Sequence, residues 1–209
     1  MSYKTHSNHR TRRRRGFTLV ETLIAMAIMA IGLLGAAALM SQMSISSNDS
    51  RYMSVEALLA SEKLEDLNHY PNGDPNVTVP AGTIVGSLAA DAAPLTIAGR
   101  QVAYSDTVQI SSGAGSIEEV TAGTNAGGVA TYTSITHKPD GTIVSVTTPS
   151  TAAPAQTSDM LLFKRRWTIE KDQPVNNVLR ITVRVLLING TRNQTTTFQT
   201  SMVRPAPQP

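Results

Sequence analysis

One carboxylate set near the start of a long apolar run constrains this chain more than anything else in it. Phe17, Thr18, Leu19 and Val20 open the run, Glu21 interrupts it, and residues 23–40 continue it. As a helix, about two dozen residues at ~1.5 Å each span more than the ~30 Å of a bilayer's hydrocarbon core. A carboxylate placed there costs on the order of 3 kcal/mol, so something must compensate for it. The run is preceded by Lys4, Arg10, Arg12, Arg13, Arg14 and Arg15, with no acid among them, and then by Gly16. Such a block holds its end of a membrane helix in the cytoplasm, which puts Glu21 near that interface, where its cost is lower.

Three ordinary readings compete. A secretory signal has an apolar region of only about 7–15 residues and a small-residue cleavage site after it, a site that Ala36, Ala37 and Ala38 could mimic. Arg14, Arg15, Gly16 and Phe17 loosely imitate a twin-arginine signal. Neither signal explains Glu21 or the length of the run, and a plain anchor has no use for a buried acid. The order of arginines, Gly16, Phe17, Thr18, Leu19 and Glu21 resembles the N-terminus of a type IV prepilin, the precursor of pilins and of type II secretion pseudopilins. The resemblance is close from Arg12 to about Met40. It implies that a membrane peptidase cuts after Gly16, that Phe17 is then N-methylated, and that Glu21 pairs with the free amine of a neighbouring subunit during assembly.

The charge balance has to be read with that cleavage in mind. The chain of 209 residues carries a formal charge of +3. Six of its 18 Lys and Arg precede residue 17 and none of its 15 acids does, so the remainder has 12 against 15, a charge of −3. The basic character belongs to the leader, and no nucleic-acid partner is expected. There is no cysteine, so no disulfide can staple the C-terminal region, as one does in many pilins.

Beyond Met40 a serine-rich stretch, 41–50, is a poor helix former, and softening is expected between Gly32, Gly35 and this stretch. Apolar spacing returns with Met53, Val55, Leu58, Leu59, Leu64 and Leu67, while Glu56, Glu62, Lys63, Glu65 and Asp66 take other positions. Pro71, Gly73 and Pro75 stop the pattern. One helix from Phe17 to about His69, roughly 80 Å long, is the expectation.

Residues 76–158 are rich in Gly, Ala, Ser and Thr. Strands are expected at 101–110, where Val102, Tyr104, Val108 and Ile110 alternate, and at 129–135. His137, Lys138, Pro139, Asp140 and Gly141 read as a turn into a strand at 142–146. Segments 82–99, 111–128 and 147–158 read as loops. Further on, Phe163, Trp167 and Ile169 share one strand face. Asp172, Pro174 and Asn177 mark a turn, and Leu179, Ile181, Val183, Val185 and Leu187 line the core face of a long strand. Asn189-Gly190 signals a hairpin into a third strand, 195–202. This meander has one apolar face, which the helical stripe can cover.

The expected fold class is therefore α+β: a long N-terminal helix packed on an antiparallel sheet, as in the pilin fold. The expected organisation is a leader at 1–16, a transmembrane and filament-core helix at 17–40, an amphipathic helix at 41–70, a periplasmic β-rich domain at 71–204 and a disordered tail at 205–209. Ile31, Gly32, Leu33, Leu34, Gly35 and the alanines after them resemble the V-type minor pilins of type IV pili. That resemblance implies a role in initiating or capping pilus assembly. It implies as partners the other major and minor pilins, prepilin peptidase, the inner-membrane assembly platform and membrane lipid. An I-type minor pseudopilin of type II secretion, or a major pilin, is the alternative.

Nothing in the sequence recommends an enzyme or a cofactor. His6, His9, His69 and His137 have no metal-type spacing with acids, so no metal is expected. Gly113, Gly115 and Ser116 match a phosphate loop poorly, Asn72, Gly73 and Asp74 read as a turn and not a calcium loop, and three Asn-x-Thr sequons are a common chance pattern. Lys164, Arg165 and Arg166 read as solvated strand residues, with Lys164 and Arg166 on the outer face and Trp167 turned inward.

Overall fold

The computed structural model describes residues 17–111, 115–156, 160–189 and 196–206. The chain divides into two compact units, Met1–Ser47 and Asn48–Pro209. A single helix, α1 (Leu19–His69), runs through the boundary.

In the first unit every described side chain from 17 to 44 is exposed. From Leu23 to Met40 these residues are apolar or glycine on all sides of the helix, which is the pattern of a segment whose solvent is lipid. The helix is long and apolar enough to cross a membrane. The expected softening is absent, since α1 is unbroken through Gly32, Gly35 and the serines. Further along, Ser54 and Ser61 Oγ donate back to the carbonyls of Ser50 and Ala57, at 2.9 Å each. Each hydroxyl shares the i−4 carbonyl with the helix's own amide, so it is satisfied without leaving the helix.

The second unit is an antiparallel sheet against the C-terminal part of α1. Ten strands lie among its described residues: β1 (Ile84–Gly86), β2 (Leu95–Ile97), β3 (Arg100–Val102), β4 (Ser105–Ser111), β5 (Ile117–Thr124), β6 (Ala130–His137), β7 (Ile143–Ser150), β8 (Met160–Lys171), β9 (Val178–Leu187) and β10 (Thr197–Pro205). The main sheet has the order β10-β9-β8-β4-β5-β6-β7, with β1 on the same edge of β8 as β4, while β2 and β3 form a separate pair. Two meanders, β8-β9-β10 and β4-β5-β6-β7, thus meet where β4 pairs β8, from Ser105 opposite Arg166 to Ser111 opposite Met160.

The expected C-terminal meander is present, and Leu179, Ile181, Val183, Val185 and Leu187 are all buried in the core with Phe163, Trp167 and Ile169. The helical stripe differs from the expected one. Leu59, Ala60 and Leu67 are buried and Leu64 is packed against the core, but Leu58 is 63% exposed. The core-facing place near it belongs to Glu56, wholly buried. Residues 56, 59, 60, 63 and 67 follow the helical repeat, and Leu58 lies off that line.

The middle of the chain is more regular than its composition suggests. The segments expected to be loops contain β1, β2, β5 and much of β7. Strands pair through backbone groups, so Gly-, Ala- and Thr-rich stretches can join a sheet without apolar side chains of their own. The strand expected at 101–110 is two strands, because β3 pairs β2 while β4 pairs β5 and β8. Gly86, at φ +83, lies so close to β8 that a Cβ there would come within 2.1 Å of the Trp167 carbonyl oxygen, so only glycine fits.

Two connections hold the ends. The turn after His137 is as expected, with Gly141 N donating to Lys138 O and Lys138 N to Thr142 O. Arg204 of β10 donates to the carbonyls of Leu67 and Tyr70, satisfying acceptors that the end of α1 leaves without helical partners. Residues 205 and 206, expected to belong to a disordered tail, are held in the fold. Pro205 still pairs with Val178 in β10, and Ala206 is buried, its N donating to Asn177 O. Residues 207–209 lie outside the described residues, as do the leader and residues 190–195, which hold the glycine of the expected hairpin and most of two sequons.

Candidate functional site

Two places carry chemistry: the start of α1, and a charged cleft where α1 meets β4, β5, β6 and β8.

At the start of α1, Thr18 is placed as an N-cap. Its Oγ1 accepts from Glu21 N at 3.3 Å, and its carbonyl accepts from Thr22 N at 3.2 Å. Glu21 then sits in the first turn, where the helix's free amide groups favour a carboxylate. Phe17 and Glu21 are both exposed, and Glu21 has no ion-pair partner among the described residues. Gly16 lies outside the described residues.

The cleft is built by alternation on three strands. On β4, Tyr104 just ahead of the strand, Asp106 and Val108 point to the core; on β8, Phe163, Arg165 and Trp167 do; Asp106 and Arg165 are direct cross-strand partners. Arg165 Nε donates to Asp106 Oδ1 at 2.8 Å and its Nη2 to Asp106 Oδ2 at 2.7 Å, a two-pronged pairing. The same Nη2 donates to Glu119 Oε1 of β5 at 2.6 Å. Glu62 and Lys63 enter from α1: Lys63 Nζ lies 3.0 Å from Asp66 and 3.6 Å from Asp106, and over the Trp167 ring at 4.7 Å. His137, the last residue of β6, is buried beside them, with Nε2 at 3.7 Å from both Glu62 Oε1 and Glu119 Oε1. Glu62, Lys63, Glu119, His137, Arg165 and Trp167 line a cleft of about 390 Å³, with Asp106 buried behind it.

Burial would raise the Asp106 carboxyl's pKa, but Arg165 and Lys63 outweigh it and hold the group below the usual carboxylate range. Burial would weaken the proton's hold on Arg165, and Asp106 and Glu119 reverse that too. For Glu62, burial wins: its pKa is raised, because burial together with Glu119's repulsion outweighs the attraction of Arg165, His137 and Lys63.

Arg165 is therefore not the solvated strand residue expected of it. Its position between Phe163 and Trp167 was the available signal, because a residue of the same parity shares their face. The same holds for Asp106 between Tyr104 and Val108. Lys164 and Arg166 do point to the other face, yet both are spent on Asp91, at 2.7 and 2.8 Å, and Arg166 also donates to Ala89 O. Asp91's pKa is lowered, the two cations outweighing its burial. This pairing leaves little of a basic patch. The Asn72–Asp74 turn is likewise occupied by its own contacts, Asp74 Oδ1 accepting from Asn76 N and Nδ2 and Asn72 Oδ1 from Arg204.

A family model, the prokaryotic N-terminal methylation motif, matches residues 11–37. No curated protein and no solved structure is matched. The match covers Arg12 to Arg15, Gly16, Phe17, Glu21 and the apolar run through Gly35. With a long apolar N-terminal helix and an antiparallel sheet behind it, the chain has a pilin-like α+β architecture and is type IV prepilin-like. The matched motif is that of precursors which prepilin peptidase processes for assembly with other pilins, and the long apolar N-terminal helix is consistent with an inner-membrane anchor.

Proposed function

We propose that this prepilin-like chain is a minor pilin subunit. Prepilin peptidase cleaves it between Gly16 and Phe17, and Phe17 is N-methylated. Residues 17–40 hold it in the inner membrane with its β-rich domain in the periplasm, and it takes part in initiating or capping a type IV pilus. The methylation motif over residues 11–37 is the observation that carries this reading. Glu21 supplies the assembly step. It is exposed and one helical turn from Phe17, and no described side chain neutralises it. A neighbouring subunit's new amine, brought beside it in low dielectric, would compensate two charges that are each costly alone. Glu21 acts in this scheme as a register between subunits.

The test has two arms. Intact mass of membrane-extracted protein should show loss of residues 1–16 and gain of one methyl group; cleavage near Ala38 would instead mark a secretory signal and overturn the reading. Glu21→Ala should be cleaved and inserted normally but lose cross-links to other pilins. Unchanged cross-linking with normal piliation would refute the assembly role. Wild-type cross-links to pilus subunits, as opposed to secretion pseudopilins, separate the minor pilin from its alternative.

A further inference from the structure

The His137 ring is nine-tenths buried, and its two nitrogens are in different situations. Nδ1 lies 3.0 Å from the Lys138 carbonyl oxygen. A carbonyl can only accept, so in the neutral ring Nδ1 holds the proton and Nε2 presents a lone pair. Nε2 makes no hydrogen bond among the described residues. It faces Glu62 Oε1 and Glu119 Oε1, each 3.7 Å away and each an acceptor as well. Three electron-pair donors from α1, β5 and β6 therefore converge on one point of the cleft, with ligand atoms all within 4.8 Å of one another.

With His137 neutral, such a group is self-repelling unless a cation lies within it. The cations nearby are already engaged. Lys63 sits on Asp66 and Asp106, and Arg165 is committed to Asp106 and to one lone pair of Glu119. Glu62, Asp66, Asp106 and Glu119 set four negative charges against the two positive ones of Lys63 and Arg165. The surplus is negative by two.

We propose that Glu62, Glu119 and His137 bind a divalent transition-metal ion of the zinc class, tying α1 to β5 and β6. An ion about 2.1 Å from His137 Nε2 and from a carboxylate oxygen 3.7 Å away would see each of these two pairs at roughly 120°, within reach of a zinc site. One imidazole and two carboxylates suit zinc better than calcium or magnesium, which favour larger sets of oxygen ligands. The Nδ1–H bond to Lys138 O is the supporting contact that fixes a metal-binding imidazole in the correct tautomer. Arg165 Nη1, 3.9 Å from Glu62 Oε2, favours an orientation that leaves Oε1 toward His137.

The experiment is calorimetric titration of the full-length chain in detergent with Zn²⁺, and separately with Mg²⁺ and Ca²⁺, with Co²⁺ as a visible-absorption probe. One equivalent of Zn²⁺ should bind and raise the melting temperature, Co²⁺ should develop visible bands, and Mg²⁺ and Ca²⁺ should do neither. Glu62→Gln and His137→Gln should each weaken zinc binding at least about tenfold. His6→Ala with His9→Ala should leave this equivalent in place, separating it from histidines of the leader. Trp167 fluorescence reports whether each variant is folded. Should His137→Gln unfold, Glu62→Gln decides, since Glu62 lies at the helix surface. Absence of zinc binding, or equal affinity in wild type and Glu62→Gln, overturns the proposal. So does binding that disappears with His6 and His9.

Discussion

Replacing Arg165 by methionine removes a wholly buried guanidinium and leaves the carboxylate beneath it in place. Arg165 makes three hydrogen bonds of 2.6–2.8 Å, two to Asp106 and one to Glu119. Asp106 is 2% exposed and cannot turn to water, and without Arg165 its nearest cation is Lys63 at 3.6 Å. Breaking a buried pair on one side costs about 3–5 kcal/mol, because the remaining charge is uncompensated. The pH dependence follows. In the native chain Asp106 titrates below its ordinary 3.8, so its stabilising contribution is present above that value and is lost as pH falls through the still lower folded value. In Arg165→Met burial dominates and Asp106's pKa rises, so the variant's deficit is largest at neutral pH and shrinks toward acid as the carboxyl takes up a proton. Urea unfolding of the full-length chain in detergent, with a chelator present, reads this through Trp167, the single tryptophan. The double variant Arg165→Met with Asp106→Leu should regain most of the loss, since an apolar pair can replace a buried ion pair at little cost. A loss under about 1 kcal/mol at neutral pH, below the range for a broken buried pair, would refute the reasoning. So would a double variant no more stable than the single one.

Leu59→Ala should destabilise the same unit by about 2.7–5 kcal/mol, the cost of a cavity in a packed core, whereas Leu58→Ala should cost no more than about 0.5 kcal/mol. Equal effects in urea titrations would place the helical stripe elsewhere. Glu56, buried in the helix face, accepts from Leu187 N at 3.2 Å and Thr196 Oγ1 at 2.7 Å, yet burial outweighs these bonds and raises its pKa above 4.5. Such a group binds its proton more tightly folded than unfolded, so its contribution is most favourable below 4.5 and declines as pH rises through the folded value. Glu56→Gln should therefore be more stable than wild type at neutral pH, with the advantage fading toward acid. A difference that does not vary with pH would contradict this.

Much of the fold is legible along the chain because its signals are local. Apolar spacing and the prolines beyond it predict the helix to His69. Strict alternation predicts the strands at 163–169 and 179–187. The differences fall at positions where two rules conflict. Leu58 is apolar but off the helical line, and Glu56 is charged but on it. Arg165 is charged yet has the parity of the core. Strands β1, β2 and β5 carry weak side-chain patterns because their pairing lies in the backbone.

The sequence by itself determined the N-terminal motif and its long apolar helix, because Gly16, Phe17, Glu21 and the apolar run lie close along the chain and lipid responds to composition and length. Only the tertiary structure decided the charged cleft. Glu62, Asp106, Glu119, His137 and Arg165 are spread over about a hundred positions, and no spacing rule links them. What joins them is the pairing of β4 with β8, the hairpins that bring β5 and β6 alongside, and the helix laid against that face. Charges that would be unremarkable on a surface become a buried network there, because the strands carry them inward opposite their counter-charges.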